Sequence, residues 1–424
     1  MAIALRCARL ADVVSGELLP DRTVLVEGER ICQVWPSSVR VPDGVRIVDL
    51  GESTLCPGLI DLHTHLVGIA ACGDPVQELR QSAARQAFES ITHARDTLFA
   101  GFTTVRDVGT FRAFVDVALR DAIDEGIVQG PRMAVAGPYI TVSSGGGMIT
   151  GLAHDIELPR DFRFGSVRGV DDVRERVREI LHGGADLIKL IGTGAVMAAG
   201  TVPGAPELTE AQIRAAVEEA AHYGAYVAVH AHGAEGIKRA ARAGARSVEH
   251  GCYLDDEGIE LMLEHGTYLS ADVWWSDWLE DHADVAGFDA ETRAKNQEAT
   301  EAQRSAFAKA VRAGVKVGFG SDAGAFPHGL QTRQLAAMQA YGMTPAQVLR
   351  AATLTGAECM GWEDEVGSVA PGKMADLIAV SGTEGDLSAF TDVRFVMKGG
   401  QIVKNGPGGS RIPGIPASGA GGNG

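Results

Sequence analysis

Eight apolar runs of strand length, each followed by a stretch of helical character, constrain the fold of this chain more than any other feature. In chain order the runs are LIDLHTHL, FTTVRDVG, RMAVAGPYITV, ADLIKLIGTG, YVAVHAHG, ARSVEHGCY, TYLSADVWW and KVGFGSDAG. Apolar runs that alternate with helices are typical of a parallel sheet covered on both faces. The sequence therefore predicts an α/β fold of the (β/α)8 TIM barrel type.

Short strands with turn signals occupy both ends of the chain. TVLVEGERICQVW carries a Glu-Gly turn between two β-rich runs, and DLIAVSG and RFVMKGGQIVKNG have the same character near the C-terminus. We expect residues 1–57 and 364–405 to form a small β-sandwich domain beside a barrel of residues 58–363. Residues 406–424 are rich in glycine and proline, which predicts a disordered tail.

Composition limits the partners of the protein. The chain has 424 residues, of which 45% are hydrophobic, and a formal net charge of -17. This charge repels phosphate backbones and anionic membranes, so we expect a small-molecule substrate and neither nucleic-acid nor membrane binding. The six cysteines show no metal spacing or disulfide framework, which favours a location in the reducing cytoplasm. The sequence leaves the oligomeric state open, and a homo-oligomer is possible.

Side chains that can bind a metal lie where the predicted barrel strands end. They are His63 and His65 on the first strand, Lys189 on the fourth, His230 and His232 on the fifth, His250 on the sixth and Asp322 on the eighth. The C-terminal ends of barrel strands meet at one rim, which carries the reacting groups. Imidazole nitrogens and carboxylate oxygens are ligands that zinc and similar divalent ions prefer. Their repetition on separate strands predicts a metal centre.

These motifs resemble those of the amidohydrolase superfamily of metal-dependent hydrolases. The resemblance runs over almost the whole chain, through PGLIDLHTH, IKLIGTG, VHAHG, EHG, GSDAG and GSVAPGKMADLIAV. Within the superfamily the chain is most similar to the branch of Xaa-Pro dipeptidases, ochratoxin-hydrolysing enzymes and imidazolonepropionase-related proteins. The resemblance implies a metal-dependent barrel with a flanking β-sandwich and a centre of two divalent ions, with zinc as the expected metal.

The resemblance also assigns the ligands. His63, His65 and Asp322 would hold one ion, His230 and His250 the other, and a carboxylated Lys189 would bridge both. A lysine buried beside two dications is pushed towards its neutral amine, which can capture carbon dioxide as an anionic carbamate. The two cations would lower the pKa of a shared water to give a bridging hydroxide, and Asp322 would act as general base and then as general acid.

His232 has a separate interpretation. It shares a strand face with His230 but lies one strand step, roughly 6–7 Å, further along the chain. We interpret it as a catalytic, substrate-facing group that stabilises the developing oxyanion or orients the substrate. A purely structural role is the alternative. The other histidines considered, namely His93, His182, His222, His265 and His282, fall among charged residues and are predicted to lie at the surface.

Two segments bear on the substrate. In SSGGGMITGLAHD, Gly147 stands where related dipeptidases carry a histidine in Thr-Gly-Gly-His-Gly. His154 is a candidate to replace that histidine as a substrate contact, and the alternative is that His154 is an ordinary loop residue. ADVWWSDW holds Trp274 and Trp275, which either pack against helices or give the pocket an aromatic wall. We expect cleavage of an amide bond in a dipeptide or N-acyl amino acid with a bulky or aromatic group.

Two other functions remain as alternatives. A mononuclear deaminase of a nucleobase-like ring would typically lack the bridging lysine and carry His-x-x-Glu after the fifth strand, whereas this chain has Lys189 and, at the third position after His230, Gly233. A non-catalytic relative would be expected to have lost ligands, and all six positions are filled.

Overall fold

The structure is a computed structural model that describes residues 2–68, 74, 76–153, 155–382 and 385–406. Its strands are β1 (Ala2–Asp12), β2 (Glu17–Glu27), β3 (Arg30–Pro36), β4 (Arg46–Asp49), β5 (Ser53–Pro57), β6 (Leu59–Thr64), β7 (Phe102–Asp107), β8 (Arg132–Val135), β9 (Thr141–Val142), β10 (Ser166–Val167), β11 (Ile188–Ile191), β12 (Val227–Ala231), β13 (Ser247–His250), β14 (Tyr268–Ala271), β15 (Val317–Phe319), β16 (Leu377–Ser381), β17 (Phe395–Lys398) and β18 (Gln401–Asn405). Its α-helices are α1 (Gln77–Arg80), α2 (Ala83–Phe99), α3 (Val115–Asp124), α4 (Val170–His182), α5 (Glu210–Ala221), α6 (Ala234–Arg242), α7 (Asp256–His265), α8 (Trp275–Ala286), α9 (Ala290–Ala313), α10 (Arg333–Ala340), α11 (Pro345–Ala351) and α12 (Leu354–Met360).

The barrel consists of the parallel strands β6–β7–β8 and β11–β12–β13–β14–β15. Short backbone contacts join the two groups at both seams. At one seam the amide of Ile140 donates to the carbonyl of Lys189 at 2.9 Å, and at the other the amide of Asp322 donates to the carbonyl of His63 at 2.8 Å. The predicted (β/α)8 barrel is confirmed, and both seams run beside predicted metal ligands.

Alternation along the strands separates two environments. On β12, Val229 faces the helices and is fully buried in the main apolar core, whereas its neighbour His230 faces the barrel interior. On β7 the same alternation sends Val105 outward and Arg106 inward. The barrel interior is therefore polar where the strands end, and the apolar core lies between the strands and the helices.

Capping residues begin several of the helices that cover the barrel. Thr209 and Thr344 each form a capping box with a glutamine three residues on, at the starts of α5 and α11. The pair Thr344-Pro345 predicts a helix start from the sequence, and Pro345 indeed occupies the first turn of α11. None of the helices in the described residues combines the length and the apolarity that a bilayer span requires.

Strands from both chain ends form one eight-stranded sheet. Its order is β18–β17–β16–β5–β1–β2–β3, and β4 pairs with a second part of β1. Leu5 and Val24 from the N-terminal strands and Phe395 from β17 share one apolar core. The small β domain is thus built from both termini, as expected; its exact boundaries stay a prediction. The predicted tail, beyond its first residue Gly406, lies outside the described residues.

Candidate metal centre

The predicted ligands come together at the C-terminal rim of the barrel. They line a single cavity, to which His63, His65, Lys189, His230, His232, His250 and Asp322 all contribute. His65 and Asp322 are partly exposed, and the other five side chains are buried. Residues far apart in the sequence are therefore brought to one site by the barrel geometry.

Backbone conformation helps to aim two of these side chains. His250 and Asp322 are non-glycine residues in the left-handed region, with φ angles of 70° and 62°. Glu249 already faces the barrel interior, so regular alternation would point His250 outward; the left-handed turn brings its side chain back to the cavity. Such conformations are sparsely populated and tend to occur at functional sites.

One group of donors surrounds Asp322. Its Oδ1 lies 3.3 Å from the Nε2 atoms of both His63 and His65. The opposite ring nitrogens are held by acceptors: Nδ1 of His63 lies 3.0 Å from Glu249 Oε2, and Nδ1 of His65 lies 2.8 Å from the carbonyl of Gly109. An Nδ1–H that donates to these acceptors leaves both Nε2 lone pairs directed at Asp322, as a metal site requires.

His230 and His250 form a second group beside the first. Their ring centroids are 4.4 Å apart, and the ring of His250 lies 4.9 Å from that of His63. Nδ1 of His250 lies 3.0 Å from Asp272 Oδ1, and Nε2 of His230 lies 3.3 Å from the carbonyl of Gly194. Each ring therefore keeps one nitrogen available. The donor atoms of His63, His250 and Asp322 lie within 4.8 Å of one another, so this end of the cavity is a candidate metal-binding site.

Lys189 is buried in β11 and lines the same cavity. Burial lowers the pKa of its amine to about 8, against the opposing attraction of the Glu249 carboxylate. The neutral amine is therefore accessible near neutral pH, even before any cation is bound.

A fully buried ion pair holds the ring of His63 through a hydrogen bond. Arg106 Nη2 donates to Glu249 Oε1 at 2.8 Å, and both side chains are fully buried. Ser247 Oγ donates to the same oxygen at 2.5 Å, while the other oxygen accepts from His63. Burial opposes ionisation of Glu249, but Arg106 and His63 hold its pKa well below the usual value. Local sequence patterns do not predict this network; its only signals are charged residues inside buried strands, in VRD and EHG.

His232 lies close to the ligands but is held differently. Its ring stacks on that of His250 at 4.7 Å, and its Nδ1 lies 2.9 Å from the Sγ atom of Cys252. One of its ring nitrogens lies within 4.8 Å of donor atoms of His230 and His250, so distance alone does not separate a ligand from a substrate contact. Burial, together with the charge of His250, lowers the pKa of His232 well below its usual value.

The cavity walls are mainly apolar away from the donors. They include Phe111, Met148, Ile149, Val196, Met197, Trp275 and Phe288. Trp275 therefore lies where the sequence suggested, whereas Trp274 is not among the described lining residues: it packs edge-on against Phe326 and under the guanidinium of Arg333. Tyr139, whose hydroxyl lies 3.3 Å from His65 Nδ1, also lines the cavity and was not anticipated.

The glycine-rich loop after β9 lines one side of the cavity with Gly146 and Gly147. Both oxygens of Glu207 accept from the amide of Gly146, at 3.1 and 2.9 Å. A Cβ at Gly147 would lie 2.7 Å from Cγ1 of Ile191, so a histidine at this position would require the neighbouring side chain to move. His154, the suggested replacement, lies outside the described residues.

Five further histidines are predicted to lie at the surface, and three of them, His182, His222 and His265, are exposed. The other two, His93 and His282, are partly buried. His93 stacks on His328 at 4.7 Å and bonds through Nδ1 to the carbonyl of Leu66 at 2.9 Å. His282 bonds through Nδ1 to the carbonyl of Trp278 at 2.9 Å.

Comparison with known proteins identifies the family. The model of the amidohydrolase family matches residues 54–404. The chain belongs to the amidohydrolase family. This amidohydrolase is 30% identical to ochratoxinase of Aspergillus niger over 432 aligned positions, which cover 95% of this chain and 88% of that protein. It is 26% identical to imidazolonepropionase of Symbiobacterium thermophilum, with 86% of each chain covered.

The fold of the amidohydrolase also matches a solved structure of a Xaa-Pro dipeptidase with methionine bound in the active site. The TM-score is 0.89 at 33% identity, with 96% of this chain and 100% of that chain covered. The chain is therefore a hydrolase that acts on amide bonds, in a family that generally uses divalent metal ions. A deaminase is not favoured by these relatives.

Proposed function

We propose that this amidohydrolase uses two divalent ions, with zinc as the expected metal, to hydrolyse an amide bond in a dipeptide or an N-acyl amino acid. The observation that carries the proposal is the pair of adjacent donor groups on one cavity, with the buried amine of Lys189 lining the same space. Dications held there would lower the pKa of water and polarise the scissile carbonyl.

Lys189, as its carbamate, would bridge the two ions in this proposal. The ammonium form first loses one proton to give the neutral amine. The lone pair on Nζ then attacks the carbon of carbon dioxide, a nitrogen–carbon bond forms while one carbon–oxygen π bond opens, and a second proton leaves from the nitrogen to solvent. The product is an anionic carbamate in place of a cation. The lowered pKa of about 8 supports this step, because only the neutral amine can react.

Asp322 moves the proton. Its pKa is held well below the usual value by His63 and His65, although burial opposes this, so the carboxylate is ionised at neutral pH. We assign it to accept a proton from the attacking water and to return that proton to the amide nitrogen. The new carbon–oxygen bond forms first, as the carbonyl π electrons move onto the carbonyl oxygen. The carbon–nitrogen bond breaks when that carbonyl re-forms and the nitrogen takes the proton, and a carboxylic acid and an amine leave.

His232 and the apolar wall act on the substrate. We assign His232 to donate a hydrogen bond to the carbonyl oxygen as negative charge develops there. Trp275, Phe111 and Phe288 line the cavity, which supports a bulky or aromatic group beside the scissile amide. The cytoplasmic location, the absence of nucleic-acid and membrane partners and a possible homo-oligomer stay predictions.

A mass-spectrometric screen tests the proposal. The zinc-loaded enzyme is incubated with pooled dipeptides, N-acyl amino acids, aromatic amides and aminated heterocycles, with Asp322→Asn as the matched inactive control. We expect cleavage into two fragments whose masses sum to the substrate plus one water, only with the wild type. Exchange of an amino group for oxygen on an intact ring would replace the proposal with the deaminase.

A further inference from the structure

Cys252 is a buried thiol in contact with His232, the one histidine among the described cavity residues to which no metal is assigned. It is 4% exposed, carries no disulfide, and lies two residues beyond the end of β13. Its Sγ lies 2.9 Å from Nδ1 of His232. The backbone holds this contact in place, because the amide of Tyr253 donates to the carbonyl of His232 at 2.8 Å.

The partners of the histidine rings fall into two chemical classes. Each of the four assigned ligands has one nitrogen beside an oxygen acceptor, supplied by Glu249, Gly109, Gly194 or Asp272. An acceptor fixes the N–H on its own side of the ring and leaves a lone pair facing the centre. A thiol, unlike these oxygens, carries a hydrogen that it can donate, although both the S–H as donor and the sulfur as acceptor are weak. An S–H that donates to Nδ1 of His232 places the ring hydrogen on Nε2, facing the cavity.

We propose that Cys252 is a positioning residue: its thiol holds His232 as the Nε2–H tautomer, so that His232 donates to the substrate carbonyl oxygen instead of ligating a metal. This inference rests on the proposed function for its catalytic consequence, but the tautomer itself does not depend on which amide is cleaved. The Nε2–H tautomer would also distinguish the role of His232 from the roles of His230 and His250, although the donor atoms of all three rings lie within 4.8 Å of one another.

Three variants of the holoenzyme test the inference. Cys252→Ser keeps a hydroxyl that can donate to Nδ1, and Cys252→Ala removes the donor. Cys56→Ala is the matched control, because Cys56 is a buried thiol, 1% exposed, on strand β5 of the eight-stranded sheet. Each zinc-loaded protein is labelled with ring-15N histidine, and the signals of His232 are assigned by comparison with His232→Asn. Zinc content and the steady-state constants are measured on the same samples.

The wild type and Cys252→Ser should show an unprotonated Nδ1 and a protonated Nε2 at His232. In Cys252→Ala the Nδ1–H form should appear, and kcat should fall by up to roughly tenfold with KM little changed, since a transition-state hydrogen bond is weakened. Cys56→Ala should match the wild type in both readouts.

Two results would overturn the inference: a protonated Nδ1 with a metal-bound Nε2 in the wild type, or an unchanged tautomer in Cys252→Ala, whatever its activity. If the wild type cleaves no amide at all, the proposed function fails, while the 15N signals still decide the role of Cys252.

Discussion

Replacing Glu249 with glutamine should damage both the stability of the barrel and its affinity for metal. The carboxylate and Arg106 are fully buried and 2.8 Å apart, and a second donor, Ser247, shares the same oxygen. Removing one partner of such a buried pair costs roughly 3–5 kcal/mol, because the other charge stays buried without compensation. The amide can keep one accepting oxygen, but its NH2 group then faces Nδ1–H of His63. Loss of this support should weaken metal binding by roughly 10–100-fold.

Urea-induced unfolding of the metal-free proteins, followed by tryptophan fluorescence, measures the first effect, and zinc titration measures the second. Glu365→Gln is the control: its ion pair with Arg30 is about half exposed, so it should cost about 0–1 kcal/mol. The double variant Arg106→Met with Glu249→Gln should lose less free energy of unfolding than the sum of the single variants. A Glu249→Gln protein as stable as the control, with unchanged zinc affinity, would refute the reasoning.

Three further predictions concern the cavity. Reactivation of metal-stripped enzyme by zinc should require carbon dioxide, and Lys189→Ala should lose metal and turnover. The extent of reactivation should rise with pH and level off above about 8, because the neutral fraction of the Lys189 amine increases through that pKa. Full reactivation without carbon dioxide would exclude the carbamate. Trp275→Leu should raise KM for aromatic amides and Trp274→Leu should not, since only the former lines the cavity; equal effects would place the substrate elsewhere. His232→Asn should lower kcat and keep the zinc content, whereas loss of zinc would make His232 a ligand.

Local periodicity was sufficient to predict the barrel and its donors. Each apolar run is long enough to specify one strand, and a parallel barrel brings all strand ends to one rim, so His63, Lys189 and Asp322 could be assembled without knowledge of any contact. Thr344 and Pro345 could also be placed at a helix start from the sequence, because capping depends only on neighbouring residues.

Features that depend on contacts between strands could not be predicted in this way. Arg106 and Glu249 are 143 positions apart, and neither strand alone indicates that they pair. The thiol that faces His232 comes from the loop after the next strand, 20 positions on, and the stack of His93 on His328 joins α2 to a loop beyond β15. In each case the partner is set by tertiary packing, which overrides the local pattern.

The metal-to-chain ratio of gently purified enzyme tests the central claim most directly. Elemental analysis of the wild type and of Lys189→Ala, each brought to the same protein concentration after removal of free metal, gives that ratio. The binuclear account predicts about two divalent ions per wild-type chain and fewer in the variant. One ion per chain in both proteins would contradict it, because Lys189 would then have no bridge to form.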